Sequence, residues 1–198
     1  MGTKYDYLGR WNSYWYQIQE VLWTNPRRVL EIGPGHGVVA WYLKKVKGIE
    51  VCTVDINPLL EPDVVCNVLE LSQYFKEGEF DTVLAAEVLE HLPFKFFEMA
   101  LKEIKYVTKK AIVLTLPFSS SFVLRFRVPI INFKIVLAPE SHKTHVFDGE
   151  HYWEIGKKGF SYRTVKEVIE KYFFILKSYN IFENPYHRVI VGIKKKGN

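Results

Sequence analysis

Apolar and polar positions divide the chain into two kinds of segment. Tyr7, Trp11, Tyr14 and Trp15 recur at helical offsets, so an amphipathic helix is expected near the N-terminus, ending at Asn25-Pro26. Beyond it the apolar runs shorten and become rich in β-branched residues. Residues 28–32 (RVLEI) and 49–54 (IEVCTV) predict strands, and 37–45 (GVVAWYLKK) predicts a helix between them. The alternation continues with a short strand at 63–66, a helix over 69–75, a strand at 80–86 (FDTVLAA), a helix over 95–107 and a strand at 111–116 (AIVLTL). A helix over 162–172 then precedes strands at 173–181 and 186–193. Their short connection at Glu183-Asn184-Pro185 makes that last pair antiparallel.

Strands joined by helices need crossover connections, so the fold expected is α/β. It is a doubly wound, mostly parallel sheet between two helical layers, three layers in all, closed by an antiparallel C-terminal pair. Residues 1–198 read as one domain, with 1–24 as an aromatic N-terminal helix or lid. Residues 118–160 fit neither pattern, and an interruption of that length marks an insert expected to cover a substrate site.

Composition changes this picture little. A chain of 198 residues, 48% hydrophobic and 25% charged, suits an ordinary globular core. The net charge of +5 is a mild excess that selects no partner, and Lys109, Lys110 and Lys194 to Lys196 read as solvated flanks of apolar segments. Cys52 and Cys66 lack a CxxC element, so buried free thiols in a reducing, cytoplasmic compartment are expected rather than a disulfide or zinc scaffold. Neither a signal-peptide core nor a run long enough to span a membrane is visible.

The most informative stretch is VLEIGPGHGVVA, where Glu31 lies near a strand end and Gly33, Gly35 and Gly37 lead into a helix. Open α/β sheets bind ligands at such carboxyl ends. Read from Gly35, the dinucleotide fingerprint finds Gly37 and Ala40, so spacing leaves a dinucleotide open; a Walker loop is absent. A pyrophosphate at a helix N-terminus favours donors without a neighbouring anion, whereas Glu31 places a carboxyl at the lip. A cationic nucleoside such as S-adenosylmethionine fits that lip better, and Asp55, ending the next strand, is placed to accept ribose hydroxyls.

Taken together, VLEIGPGHG, VCTVDINP and FDTVLAAEVLEHLP resemble the class I S-adenosylmethionine-dependent methyltransferases, in particular the small type 11 group, over about residues 28–117. The resemblance implies a Rossmann-like sheet of seven strands with S-adenosylmethionine as methyl donor and S-adenosylhomocysteine as product. It implies that Glu31, Gly33 and Gly35 approach the methionine part, with Pro34 and Gly37 in the same loop. By the same resemblance Asp55 takes the ribose, Ile56 packs on the adenine, Asn67 and Val68 border the adenine edge, and the Glu87 backbone lies near the methionine. Many relatives carry Asp where Asn67 stands, but an amide carbonyl can still accept from the adenine amino group.

On the acceptor side, His91 and His151 are the candidates for a general base. Glu90 and His91 lie in EVLEHLP, where a His before Pro93 reads more readily as structural. His142, His145 and His151, with Glu140, Asp148 and Glu150 around them, have no standard zinc spacing, and no metal site is expected. For His151, Tyr152 or Trp153 a substrate-lining role is preferred to a metal role. Residues 122–139 interleave Arg125, Arg127 and Lys134 with large apolar side chains, which reads as a lid packing its apolar underside on its own domain, with a membrane-surface or lipid-acceptor role as the alternative. The activity expected is methyl transfer by in-line displacement to a small or lipid-like acceptor. RNA or protein acceptors, a non-catalytic binder of the adenosyl ligand and a dinucleotide-dependent oxidoreductase are the competing readings.

Overall fold

Alternate side chains of the central strands separate into two cores, because successive residues of a strand point to opposite faces. In the computed structural model, which describes residues 7–128, 133–147 and 149–196, the first strands are β1 (Arg28–Ile32), β2 (Glu50–Asp55) and β3 (Val64–Val65). Next come β4 (Phe80–Ala86) and β5 (Thr108–Pro117), and the sheet is completed by β8 (Phe173–Asn180) and β9 (His187–Lys194). Their order is β3-β2-β1-β4-β5-β9-β8, parallel from β3 to β5 and antiparallel across β5-β9-β8. Strand order reverses between β1 and β4, which opens a crevice beyond their carboxyl ends.

Val29, Leu84, Val113, Val189 and Val191 face one core, beneath α1 (Leu8–Trp23) and α2 (Val38–Lys47). Leu30, Val83, Ile112, Leu114 and Ile190 face the other, beneath α3 (Leu71–Tyr74), α4 (Phe97–Val107) and α5 (Tyr162–Glu170). The expected three-layer architecture is present. Element ends shift by a few residues: short 3-10 turns at Val68–Glu70 and Phe94–Phe96 precede α3 and α4, and β5 is longer at both ends than the apolar run AIVLTL.

The N-terminal helix forms, but its burial is not what the aromatic stripe suggests. Trp11 and Trp15 are each 54% exposed, whereas Ser13, Gln17, Ile18, Glu20 and Val21 are buried. The polar members of that face are satisfied by the sheet: Tyr179 Oη donates to Glu20 Oε1 (2.7 Å) and Lys177 Nζ donates to Glu20 Oε2 (2.8 Å). Fully paired polar groups are buried at little cost. Cys66 is buried as expected, but Cys52 only partly so.

Within the insert, β6 (Leu124–Val128) and β7 (Phe133–Leu137) form a separate two-stranded antiparallel hairpin. Opposed pairs share a face, so Leu124/Leu137, Phe126/Ile135 and Val128/Phe133 make one apolar face and Arg125, Arg127 and Lys134 lie on the other. All six apolar residues are exposed. The side turned to the domain is the basic one, through Lys134 Nζ to Glu183 Oε1 (2.7 Å) and Arg125 Nη1 to the Phe182 carbonyl (3.4 Å). The expectation of an apolar underside packed on the domain is therefore reversed, because these charges find acceptors there.

Candidate active site

The glycine turn follows β1 directly. Gly33 sits at φ +68°, its N–H donates to the Val54 carbonyl (2.8 Å), and a Cβ there would come 2.3 Å from Val88 Cγ2. Only glycine lets the segment after β4 approach so closely at that angle. Gly35, at φ +54°, has nothing within 4 Å of where a Cβ would stand, so its bare backbone faces open space.

Around this turn lies a cavity of about 550 Å³. Glu31, Gly33, Pro34 and Gly35 line it from the turn, and Asp55 and Ile56 from the end of β2. Asn67, Val68 and Glu87 close it from the segments after β3 and β4. Gly37 does not line it; it caps α2 in the left-handed conformation. Glu87 also has a positive φ, +55°, which is uncommon for a residue with a side chain. From α1, expected as a helix or lid, come Arg10, Tyr14 and Gln17, which sequence reasoning did not name because a helix far from the motifs carries no signal of which of its residues will meet the cavity.

Two details differ from expectation. Glu31 is only 4% exposed, and burial pushes its carboxyl up to about 8 against the lowering effects of the Ala40 amide and the Lys44 charge. The lip is therefore largely uncharged at neutral pH until a cation arrives, and Glu31 Oε2 has no hydrogen-bond partner. Asn67 Oδ1 accepts from the Leu69 N–H (3.0 Å), so one lone pair of the carbonyl expected at the adenine is taken by the cap of its own turn. Asp55 is held similarly, Oδ1 accepting from the Asn57 N–H (2.8 Å), which leaves Oδ2 for a ligand.

His91 lines the cavity, and the fold brings His151 beside it, the ring centroids 5.1 Å apart. His91 Nδ1 lies 2.9 Å from the Glu150 carbonyl, and the Tyr152 N–H donates to the Glu90 carbonyl (2.9 Å), so the end of the insert is stitched to the segment after β4. His142 and His145 do not join them: His142 Nδ1 is 3.9 Å from Glu140 Oε2, and His145 Nε2 is 2.8 Å from the His151 carbonyl. Asp148 lies outside the described residues. Trp153 is fully buried against Phe94 and Phe97, with Nε1 donating to the Leu92 carbonyl (3.1 Å), so it belongs to the core and not to a substrate wall. Tyr152 is exposed and packs on Phe147. None of the described residues 118–160 lines the cavity; the insert borders it through His151.

Among the described residues no helix is long and apolar enough to cross a membrane. No curated protein matches the chain significantly. Solved structures do. A 1,6-didemethyltoxoflavin N1-methyltransferase of Burkholderia thailandensis, with its substrate and S-adenosylhomocysteine bound, is 16% identical, covering 93% of this chain and 80% of its own (TM-score 0.62). The N-methyltransferase NodS of Bradyrhizobium japonicum, with S-adenosylhomocysteine, is 12% identical over 96% and 90% (TM-score 0.63). Magnesium protoporphyrin IX methyltransferase of Synechocystis, with S-adenosylmethionine, is 12% identical over 98% and 87% (TM-score 0.62). At these identities the likeness establishes the fold. A family model described as a methyltransferase domain matches residues 17–163, from α1 through the glycine turn and both candidate histidines to the start of α5, and the chain therefore belongs to that methyltransferase family, in its class I, Rossmann-like form.

Proposed function

We propose that this chain transfers a methyl group from S-adenosylmethionine to a small or lipid-like acceptor, with the cavity at the β1/β4 crevice as the donor site. The observation that carries the reading is the single cavity in which the glycine turn, Glu31, Asp55, Asn67 and Glu87 meet. When bound, the donor supplies an already activated sulfonium methyl, so the protein's share is orientation and exclusion of water.

Two features of the cavity fit this donor. The orphaned Glu31 Oε2 meets an ammonium, which draws the carboxyl into its charged form, and the open space at Gly35 admits the methionine chain against bare backbone. Asp55 Oδ2 accepts from the ribose, Ile56, which is exposed in the cavity, covers the adenine, and Asn67 and Val68 border its edge. His91 and His151 stand at the acceptor side, within reach of a proton on an attacking oxygen or nitrogen. Small acceptors are favoured because Arg10, Tyr14 and Gln17 of α1 close one wall, and two of the structural neighbours carry names of small-molecule methyltransferases.

Calorimetry with S-adenosylhomocysteine and with NAD tests the donor site. Tighter binding of the homocysteine compound supports the reading, and a preference for NAD overturns it. A panel of acceptors with tritiated methyl donor then identifies the acceptor class; binding without transfer to any of them supports a non-catalytic binder instead.

A further inference from the structure

Beside the cavity, next to His91, lie buried carboxylate oxygens that have no counterpart in methyl transfer as described so far. Glu90 is 0% exposed, and neither of its carboxylate oxygens has a hydrogen-bond partner; Glu87 Oε1 is a third buried oxygen in the same condition. Burial, and next the charge of Glu87, hold the Glu90 carboxyl well above the usual carboxylate range. A buried carboxyl without donors needs either a proton or a cation beside it.

The groups that face Glu90 suit a cation. His151 Nε2 lies 4.0 Å from Glu90 Oε1, too far for a hydrogen bond, and Glu90, His91 and His151 each bring one ligand atom within 4.8 Å of the others. Around an ion bound at about 2.1 Å, neighbouring ligand atoms stand roughly 3 to 3.5 Å apart, so closure needs a side-chain movement of order 1 Å. Each imidazole is oriented through its other nitrogen. His91 Nδ1 lies against the Glu150 carbonyl (2.9 Å), an acceptor only, so Nδ1 carries the proton and Nε2 the lone pair. His151 Nδ1 faces Glu154 Oε1 (3.6 Å), a carboxylate itself held by Tyr186 Oη (2.8 Å), while Nε2 turns to Glu90. An acceptor behind one ring nitrogen and a carboxylate before the other is the outer arrangement that orients metal-ligating histidines.

We infer that Glu90, His91 and His151 form a binding site for a divalent first-row transition ion at the acceptor side of the cavity. Two imidazoles and one carboxylate suit Mn²⁺, Co²⁺ or Zn²⁺ better than Ca²⁺, and three protein ligands leave positions for oxygen atoms of an acceptor. The inference rests on the proposed methyl-transfer function for the ion's purpose, and it narrows the acceptor class to molecules presenting oxygen donors, which the ion positions and makes more acidic. Spacing in the insert gave no hint of this, since His151 pairs with a distant segment and not with His142 or His145.

The test uses the full chain, stripped with a chelator and titrated with Co²⁺ alone. One equivalent should produce the visible d–d bands of a nitrogen–oxygen site, and Zn²⁺ should displace it. His91→Ala, at an exposed position, and His151→Ala should each weaken Co²⁺ binding at least tenfold with the circular dichroism spectrum retained; Glu90→Gln should do the same if it folds. Absence of bands, or unchanged Co²⁺ affinity in both histidine variants, overturns the site. Binding of S-adenosylhomocysteine, measured on the same samples without metal, keeps the two readings apart. If it binds and Co²⁺ does not, only the metal site falls; if it fails to bind while Co²⁺ does, the donor site falls and the ion site stands.

Discussion

Ser13 Oγ, on α1, lies 2.8 Å from His187 Nδ1, on β9, in a fully buried contact. The Ser13 hydroxyl donates to the Gly9 carbonyl (3.0 Å), so it accepts from His187 Nδ1–H, and the other ring nitrogen then faces Glu87 Oε2 at 3.5 Å. The helix that closes one wall of the cavity is thereby tied to β9 through one imidazole. Burial holds the His187 imidazole below its ordinary pKa, which keeps the ring neutral and its tautomer defined.

Ser13→Ala removes the acceptor and leaves a buried N–H unpaired. The expected loss is about 1–3 kcal/mol of stability in urea denaturation, together with weaker binding of S-adenosylhomocysteine as α1 loosens. An unchanged denaturation midpoint contradicts the tie.

Glu31 makes stability and binding depend on pH in opposite senses. Its folded pKa of about 8 is above the ordinary 4.5, so between those values the native state holds more proton than the unfolded chain. Its contribution to stability is complete at low pH and is lost as pH rises through about 8. A cationic ligand favours the ionised form, so binding at pH 7 should release a proton. Calorimetry in buffers of different ionisation enthalpy should detect that release, and Glu31→Gln should abolish it while stabilising the ligand-free protein at pH 9. Equal proton release in the variant assigns it to another group.

Asp55→Ala deletes the carboxylate that the Asn57 N–H holds at the end of β2. S-adenosylmethionine affinity should fall by at least about 1 kcal/mol, roughly fivefold. Undiminished affinity removes Asp55 from the ribose site.

Trp153→Ala separates packing from substrate contact. Deleting a fully buried indole should cost about 3–5 kcal/mol and lower the melting temperature markedly. A variant of normal stability with an altered acceptor KM returns Trp153 to the substrate wall.

Much of this fold is legible along the chain because its signals are local. The near-continuous apolar runs RVLEI and AIVLTL report strands buried on both faces, and the short turn at Asn184-Pro185 reports antiparallel pairing. The glycine turn is local too, since the positive φ of Gly33 and Gly35 is a property of those residues. The placement of Asp55, Asn67 and Glu87 around it follows from strand ends that share one edge.

Other features depend on what distant segments bring. Trp11 and Trp15 of the α1 stripe face solvent because Thr115, Tyr179 and His187 offer partners to Gln17, Glu20 and Ser13, and a paired polar face can be buried in place of an apolar one. Glu31 reads as a charged lip in sequence, yet its depth beneath α2 makes it largely neutral, since desolvation is set by neighbours and not by residue type. The meeting of Glu90 and His91 with His151 is likewise tertiary: residue identities and local periodicity belong to the sequence, but which charges share a buried corner is decided only when the insert docks on the sheet edge.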